Sequence, residues 1–205
     1  MFPYPNPYQQ VLQIMCQSLA PFDDDGLIPA YGFGDSVTKD KSVFSLVTDN
    51  FGQTVPCVKL EGVLSAYNSI ITLISDNKIR MSGPTSFAPL IYEAINIVKE
   101  TREYHILITV CDGAIDQEAN RLETERAIIE ASKYPLSIVC IGVGKGPWDV
   151  MEKFDDNIPR RSFDNFQFVE FHKIMEQCEN EEVEFAKHAL MEIPDQYEYI
   201  SKHLL

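Results

Sequence analysis

Two short polar segments carry oxygen atoms of the kind that bind metal ions. Asp112 and Gly113 directly follow the apolar run 106–111, and Thr85 follows Gly83 and Pro84. An apolar run that stops at Asp-Gly is typical of a buried parallel strand, and open α/β sheets bind ligands beyond the carboxyl ends of their strands. A carboxylate and a hydroxyl are hard ligands that suit Mg²⁺. Thr85 and Asp112 are therefore candidate metal ligands, and the alternative is an ordinary turn and an ordinary helix start.

The spacing of apolar residues predicts the elements that would position these two side chains. Helices are predicted at 7–20, 60–75, 86–102 and 118–133, the last of them exposed, and in an acidic tail at 172–192 and 194–204. Strands are predicted at 27–33, 43–47, 104–111, 136–142 and 166–171. This alternation favours an α/β fold with a doubly wound, mostly parallel sheet and helices on both faces. The short link 34–42 places the 43–47 strand antiparallel at an edge, and the other four strands run parallel.

Composition and charge exclude several classes of function. The chain has 205 residues and a formal net charge of −14, from 31 acidic and 17 basic residues. Such a charge disfavours nucleic acid and anionic membrane surfaces as partners. No apolar run approaches the ~20 residues of a membrane span, and the N-terminus does not resemble a signal peptide. The five cysteines have no C-x-x-C spacing and are expected to be buried thiols in a reducing compartment. We therefore expect a cytoplasmic protein.

Motifs for catalysis are weak in this chain. The loop 142–147 follows a strand but matches neither G-x-G-x-x-G nor G-x-x-x-x-G-K-S/T, so nucleotide binding is disfavoured. There is no G-x-S-x-G segment. The four histidines are scattered and cannot be assigned to a Ser–His or Cys–His pair. Trp148 and the aromatic residues of 163–171 are expected in the core. We therefore expect no enzymatic activity.

Segments along nearly the whole chain, taken together, carry a resemblance to one family. They are Asn6–Tyr8, Leu27–Pro29, Tyr31–Asp35, Gly83–Pro89, Asp112–Gly113, Pro135–Val139, Gly142–Gly144, Gly146–Trp148, Phe154–Pro159, Phe163–Val169 and Ala189–Pro194. In this order they resemble the von Willebrand factor A-type domain of the copine family. The same segments resemble the copine-like domain of RING-type ubiquitin ligases of plants and protists.

The resemblance implies a metal-ion-dependent adhesion site. In A-type domains this site combines a D-x-S/T-x-S motif after the first strand, a threonine on a second loop and an aspartate on a third. The matching positions here are Thr85 and Asp112, whereas no D-x-S/T-x-S motif occurs in the chain. The chain begins at the family's first crossover helix, so the family's first, central strand is missing. The family implies Mg²⁺ or another divalent cation as cofactor, but with two of five ligands present we expect weak binding.

The resemblance also implies a function and a domain organisation. Residues 1–192 would form a copine-like A domain that is incomplete at its N-terminus, and residues 193–205 a helical tail. The domain would be a non-enzymatic protein–protein interaction module, whose partner supplies an acidic side chain to the metal site. The alternative is a fragment of a RING-type ubiquitin ligase whose catalytic RING is absent from this chain. Neither nucleic acid nor direct membrane binding by this chain alone is expected.

The missing central strand predicts a stability problem. It would lie between 27–33 and 104–111 and leave both strands with unpaired backbone groups. These strands could pair with each other or with a strand from a second copy. Alternatively, an upstream segment that this sequence lacks would supply the missing strand. The N-terminal segment Met1–Asn6 is too short and proline-rich to fill it. We therefore expect low stability or self-association through the unpaired strands.

Overall fold

The computed structural model describes residues 5–113, 115–176 and 180–205 of the chain. Most of the Met1–Asn6 segment and Cys178 lie outside these ranges. The chain divides into two compact units, Met1–Pro84 and Thr85–Leu205. The domain boundary expected at residue 192 stays a prediction.

Two helices dominate the first unit. They are α1 (Pro7–Leu19), which continues into the 3₁₀ turn Ala20–Phe22, and α2 (Lys59–Ser75). At the start of α1 the Gln9 N–H donates to the Asn6 side chain, and the Asn6 N–H donates to the Gln9 side chain. This reciprocal pair satisfies two amides at the helix start. The Tyr8 ring stacks on Tyr67 of α2 at 6.1 Å, so the two helices pack against each other. They correspond to the helices predicted at 7–20 and 60–75.

The strands of the first unit are very short and antiparallel. β1 (Leu27–Ile28) pairs with β4 (Cys57–Val58), and β2 (Tyr31–Gly32) pairs with β3 (Phe44–Ser45). The predicted antiparallel pairing of 27–33 with 43–47 is confirmed. The prediction of one strand over 27–33, parallel to 104–111, is wrong. Pro29 lies between β1 and β2 and has no N–H to donate, which accounts for the interruption of the ladder.

A three-stranded parallel sheet forms the centre of the second unit. Its order is β5 (His105–Cys111), β6 (Leu136–Gly142) and β7 (Phe166–Glu170). Every residue of β6 is buried, which means that both faces of the sheet are covered, because successive side chains point to opposite faces. The parallel arrangement of these three strands is confirmed. In the part of the chain that the structure describes, β5 pairs with β6 alone, so the prediction of an interior position for 104–111 is wrong.

In the described part of the second unit, six helices accompany the sheet. They are α3 (Ala88–Thr101), α4 (Glu118–Ala131), α5 (Asp149–Asp156), α6 (Phe171–Met175), α7 (Glu181–Leu190) and α8 (Ile193–His203). The prediction that the 118–133 helix is exposed is wrong. Thr124, Ala127 and Ile128 have no accessible surface, and α4 packs on α3. The buried face contains polar and small residues, which give no apolar periodicity in the sequence.

The C-terminal helix α8 is packed on the second unit. The Tyr197 ring lies 5.1 Å from that of Tyr104, and Tyr199 stacks on Phe163 at 5.0 Å. Ile200 is fully buried. Among the described helices, none combines the length and apolar character that crossing a bilayer requires.

Candidate functional site

Asp112 is the first residue after β5, and its side chain is exposed at the carboxyl end of the sheet. Its backbone lies against the loop that follows β6. A Cβ atom on Gly144 would stand 2.1 Å from the Asp112 carbonyl oxygen, so only glycine allows this approach. The Val143 N–H also donates to the Cys111 carbonyl at 2.8 Å. The loops after β5 and β6 are therefore fixed to each other, and the Asp112 carboxylate extends from this junction.

Thr85 lies just before α3 and is half-buried. Its backbone carbonyl accepts a hydrogen bond from Asn120 Nδ2 at 3.2 Å. The next residue, Ser86, is buried and accepts from the Ala88 N–H at 3.3 Å, which satisfies one amide at the start of α3. The Thr85 segment is thus a helix start, as the alternative interpretation held, and its hydroxyl is not used in that role.

The first turn of α4 holds both candidate loops. Asn120 binds the Thr85 carbonyl, and the adjacent Arg121 donates from Nε to the Ile115 carbonyl at 2.8 Å. Arg121 Nη2 reaches the Asp116 carbonyl at 3.4 Å. Because the two side chains are consecutive, the loop of Thr85 and the loop of Asp112 converge on one helical turn. The sequence interpretation missed Asn120 and Arg121, whose signal was a polar first turn in a predicted helix.

We refer to Thr85 and Asp112, with the loops that carry them, as the metal rim. Within residues 5–113, 115–176 and 180–205, no three His, Cys, Asp or Glu side chains come together as a metal cluster. As candidate ligands, Asp112 offers one carboxylate and Thr85 one hydroxyl. These oxygen donors fit Mg²⁺ in kind, but two are few for an ion that demands near-octahedral geometry.

The remaining motifs of this edge are structural. Trp148 is buried, as expected, and a Cβ atom on Gly142 would stand 2.7 Å from its ring. The indole packs against Phe168 at 5.5 Å, so the glycine-rich loop accommodates this ring. Cys111 and Cys140 are buried thiols with sulfur atoms 4.0 Å apart, and the contact with Cys111 together with burial raises the pKa of Cys140.

Comparison with known proteins identifies relatives over almost the whole chain. Residues 3–205 match the copine family. Copine family protein 2 of Caenorhabditis elegans is 50% identical over 197 residues, which cover 96% of this chain and 2% of that protein. Copine family protein 1 of the same organism is 47% identical over 95% of this chain and 17% of its own length. The E3 ubiquitin-protein ligase RGLG5 of Arabidopsis thaliana is 48% identical over 94% of this chain and 46% of its own length.

The structural comparison agrees with the sequence comparison. The crystal structure of manganese-loaded Plasmodium vivax TRAP protein matches with a TM-score of 0.50 and 14% identity, over 81% of this chain and 61% of that chain. At this identity the likeness concerns the fold alone, which is von Willebrand factor A-like. The chain spans about half the length of the ligase relatives and less of the two copine proteins. With residues 3–205 matching its profile and relatives at 47–50% identity, this chain belongs to the copine family.

Proposed function

We propose that this chain is a non-catalytic protein-interaction module that binds its partner at the metal rim. The observation that supports this is the convergence of the Thr85 and Asp112 loops on the first turn of α4. Two loops that carry hard oxygen ligands are thereby held by two consecutive side chains of one helical turn, Asn120 and Arg121. Function in such a fold depends on the site and not on the architecture, so the proposal rests on these residues.

The side chains of the rim define what it can bind. The Asp112 carboxylate and the Thr85 hydroxyl would hold a divalent cation such as Mg²⁺, which keeps several waters when few protein ligands are present. A bound cation would supply the positive charge that attracts an acidic side chain of the partner. Asn120 and Arg121 position the two loops. The small number of protein ligands predicts weak metal binding by this chain by itself.

A paramagnetic titration tests the proposed site. Mn²⁺ broadens the NMR signals of amides close to it, so we expect selective loss of signal at residues 85–88 and 112–116. Asp112→Asn removes the carboxylate charge of the proposed ligand and should abolish the selective broadening. Asp116→Asn is the matched control, because it removes an exposed carboxylate from the same loop. The proposal fails if both variants lose the broadening equally, or if the affected amides lie elsewhere.

A second candidate function is supported by the plant relatives. Proteins named as E3 ubiquitin-protein ligases are 47–48% identical to this chain, which covers 40–53% of their length. In that case the domain would bind a partner for a RING encoded in the same transcript. Sequencing the full transcript distinguishes the two candidates. Paired Cys and His residues downstream would support the ligase, and a stop codon directly after Leu205 would oppose it.

A further inference from the structure

The outer edge of β7 lies in an open groove that is separate from the metal rim. The groove has a volume of about 350 Å³ and is bounded by β7, α5, α6 and α7. Phe168, Val169 and Ile174 contribute apolar surface to its lining. Its volume is at the lower end of the ~300–1,000 Å³ that ligand sites occupy, which suits a short peptide segment.

One side of β7 has no neighbouring strand among the described residues. The Ile138 N–H of β6 donates to the Asn165 carbonyl at 2.8 Å, and Ile138 is in register with Phe166. In a parallel pair, alternate residues form the ladder, so Phe166, Phe168 and Glu170 direct their backbone groups away from β6. Over the described ranges, β7 pairs with no strand other than β6. These outward groups are therefore a sheet edge.

Carboxylates occupy this edge where a neighbouring strand would lie. The Asp155 carboxylate lies beside the Phe168 N–H and the Asp164 carboxylate beside the Phe166 N–H, and each contact lowers the pKa of that carboxyl against the effect of burial. Gln167, also in the lining, is best satisfied with Nε2 donating to the Glu192 carboxylate oxygens at 2.9 and 3.2 Å. In that orientation its amide nitrogen no longer lies near the Phe168 carbonyl, which leaves this outward acceptor for a donor from outside.

The charges around the groove are predominantly negative. Glu152, Asp155 and Asp156 line it from α5, and no ion pair engages them among the described residues. The two basic lining residues are Lys173, which pairs with Glu170 at 3.2 Å, and His188. Burial, with the nearby carboxylates of Glu192, Asp156 and Asp164, raises the pKa of Asp155 to about 7. Asp155 is therefore partly protonated at neutral pH, and the uncompensated negative charge of the groove is that of Glu152 and Asp156.

We propose that this groove binds an extended, basic segment of a partner protein, which donates a main-chain hydrogen bond to the Phe168 carbonyl of β7. Main-chain hydrogen bonds to a sheet edge give affinity to extended peptides, and side-chain pockets beside the edge give specificity. Here the lining selects Lys or Arg side chains, which pair with Glu152 and Asp156. Acidic segments and nucleic acid are repelled by the same carboxylates. The site is independent of the metal rim and of any bound cation.

Fluorescence anisotropy with a labelled peptide of alternating lysine and valine tests the charge requirement. The protein is the 205-residue chain, with EDTA present to exclude metal effects. The double variant Glu152→Lys, Asp156→Lys should weaken binding about tenfold or more, because rim charges control association of charged partners. The matched control is Glu100→Lys, Glu103→Lys, which makes the same charge change at exposed positions outside the groove. It should change the affinity by less than about threefold.

A second arm tests the pairing with the sheet edge. The same peptide with all backbone amides N-methylated keeps its charge but cannot donate to the Phe168 carbonyl, so its affinity should fall about tenfold. Circular dichroism and melting curves establish that both double variants remain folded, since all four substituted residues are exposed. Equal loss of binding in the two double variants would overturn the proposal in favour of diffuse attraction to the net charge. So would unchanged binding of the N-methylated peptide, or no binding by the unmodified chain.

Discussion

Replacing Gly144 by alanine should disrupt the junction that positions Asp112. The new Cβ atom would stand 2.1 Å from the Asp112 carbonyl oxygen, 2.9 Å from its carbonyl carbon and 3.1 Å from its Cα. All three are backbone atoms, so the clash can be relieved only by a shift of the backbone. The closest contact must open to at least 3.0 Å. Overpacking of this kind costs about 1–3 kcal/mol, and the purely backbone environment places Gly144→Ala near 3.

Thermal and urea unfolding measure this effect against a close control. For a chain of this size about 3 kcal/mol corresponds to a fall of roughly 6–12 °C in Tm. Gly113→Ala is the control. Gly113 directly follows Asp112, and a Cβ atom there would meet no atom within 4 Å. It should be neutral, or stabilising by about 0.4–1 kcal/mol. Equal Tm values for the two variants would refute the inference that the loops after β5 and β6 are rigidly joined.

The pKa of Asp155 lies at about 7 in the folded chain against an ordinary 3.8, so its contribution to stability is lost as pH rises from about 4 to 7. The free energy of unfolding of Asp155→Asn, measured in urea relative to the original chain, should therefore rise by on the order of 1 kcal/mol between pH 5 and pH 8. This value is discounted because the side chain is only half-buried. A difference that does not depend on pH would contradict the prediction. Ile128→Ala, in the buried face of α4, should lower the free energy of unfolding by about 2–5 kcal/mol. Leu122→Ala, on the exposed face of the same helix, should lower it by less than about 0.5 kcal/mol. Equal losses in urea unfolding would mean that the buried face is assigned wrongly. The chain should self-associate through β5, because Ile106, Ile108 and Val110 direct their backbone groups away from β6. Sedimentation should show association that rises with protein concentration and is reduced by Ile108→Pro. A stable monomer would oppose this prediction.

The second unit could be predicted well from sequence because its strands have strong signals. β6 is a continuous apolar run bounded by turn residues, and such a run needs both faces covered, which the burial of all its residues confirms. The strands of the first unit have only two residues each, too short for periodicity to establish. Their pairing depends on contacts between distant segments, such as Leu27 with Val58.

The candidate site was predictable only in part, for a related reason. Thr85 and Asp112 stand next to Gly and Pro residues whose turn chemistry is local and readable. Asn120 and Arg121 hold the two loops through side-chain bonds that depend on the rotational phase of α4. The burial of Thr124 on the same helix shows why its inner face escaped notice, since a polar residue gives no apolar periodicity. The roles of Thr85 and Asp112 as metal ligands stay predictions.

Calorimetric titration with Mg²⁺ tests the metal rim most directly. The 205-residue chain is compared with a version extended at its N-terminus by a strand that carries D-x-S/T-x-S, and each is also measured with Asp112→Ala. We expect weak binding by the 205-residue chain, at least tenfold tighter binding and a higher Tm in the extended version, and loss of binding in both Asp112→Ala variants. Tight Mg²⁺ binding by the 205-residue chain that survives Asp112→Ala would contradict the assignment of the rim.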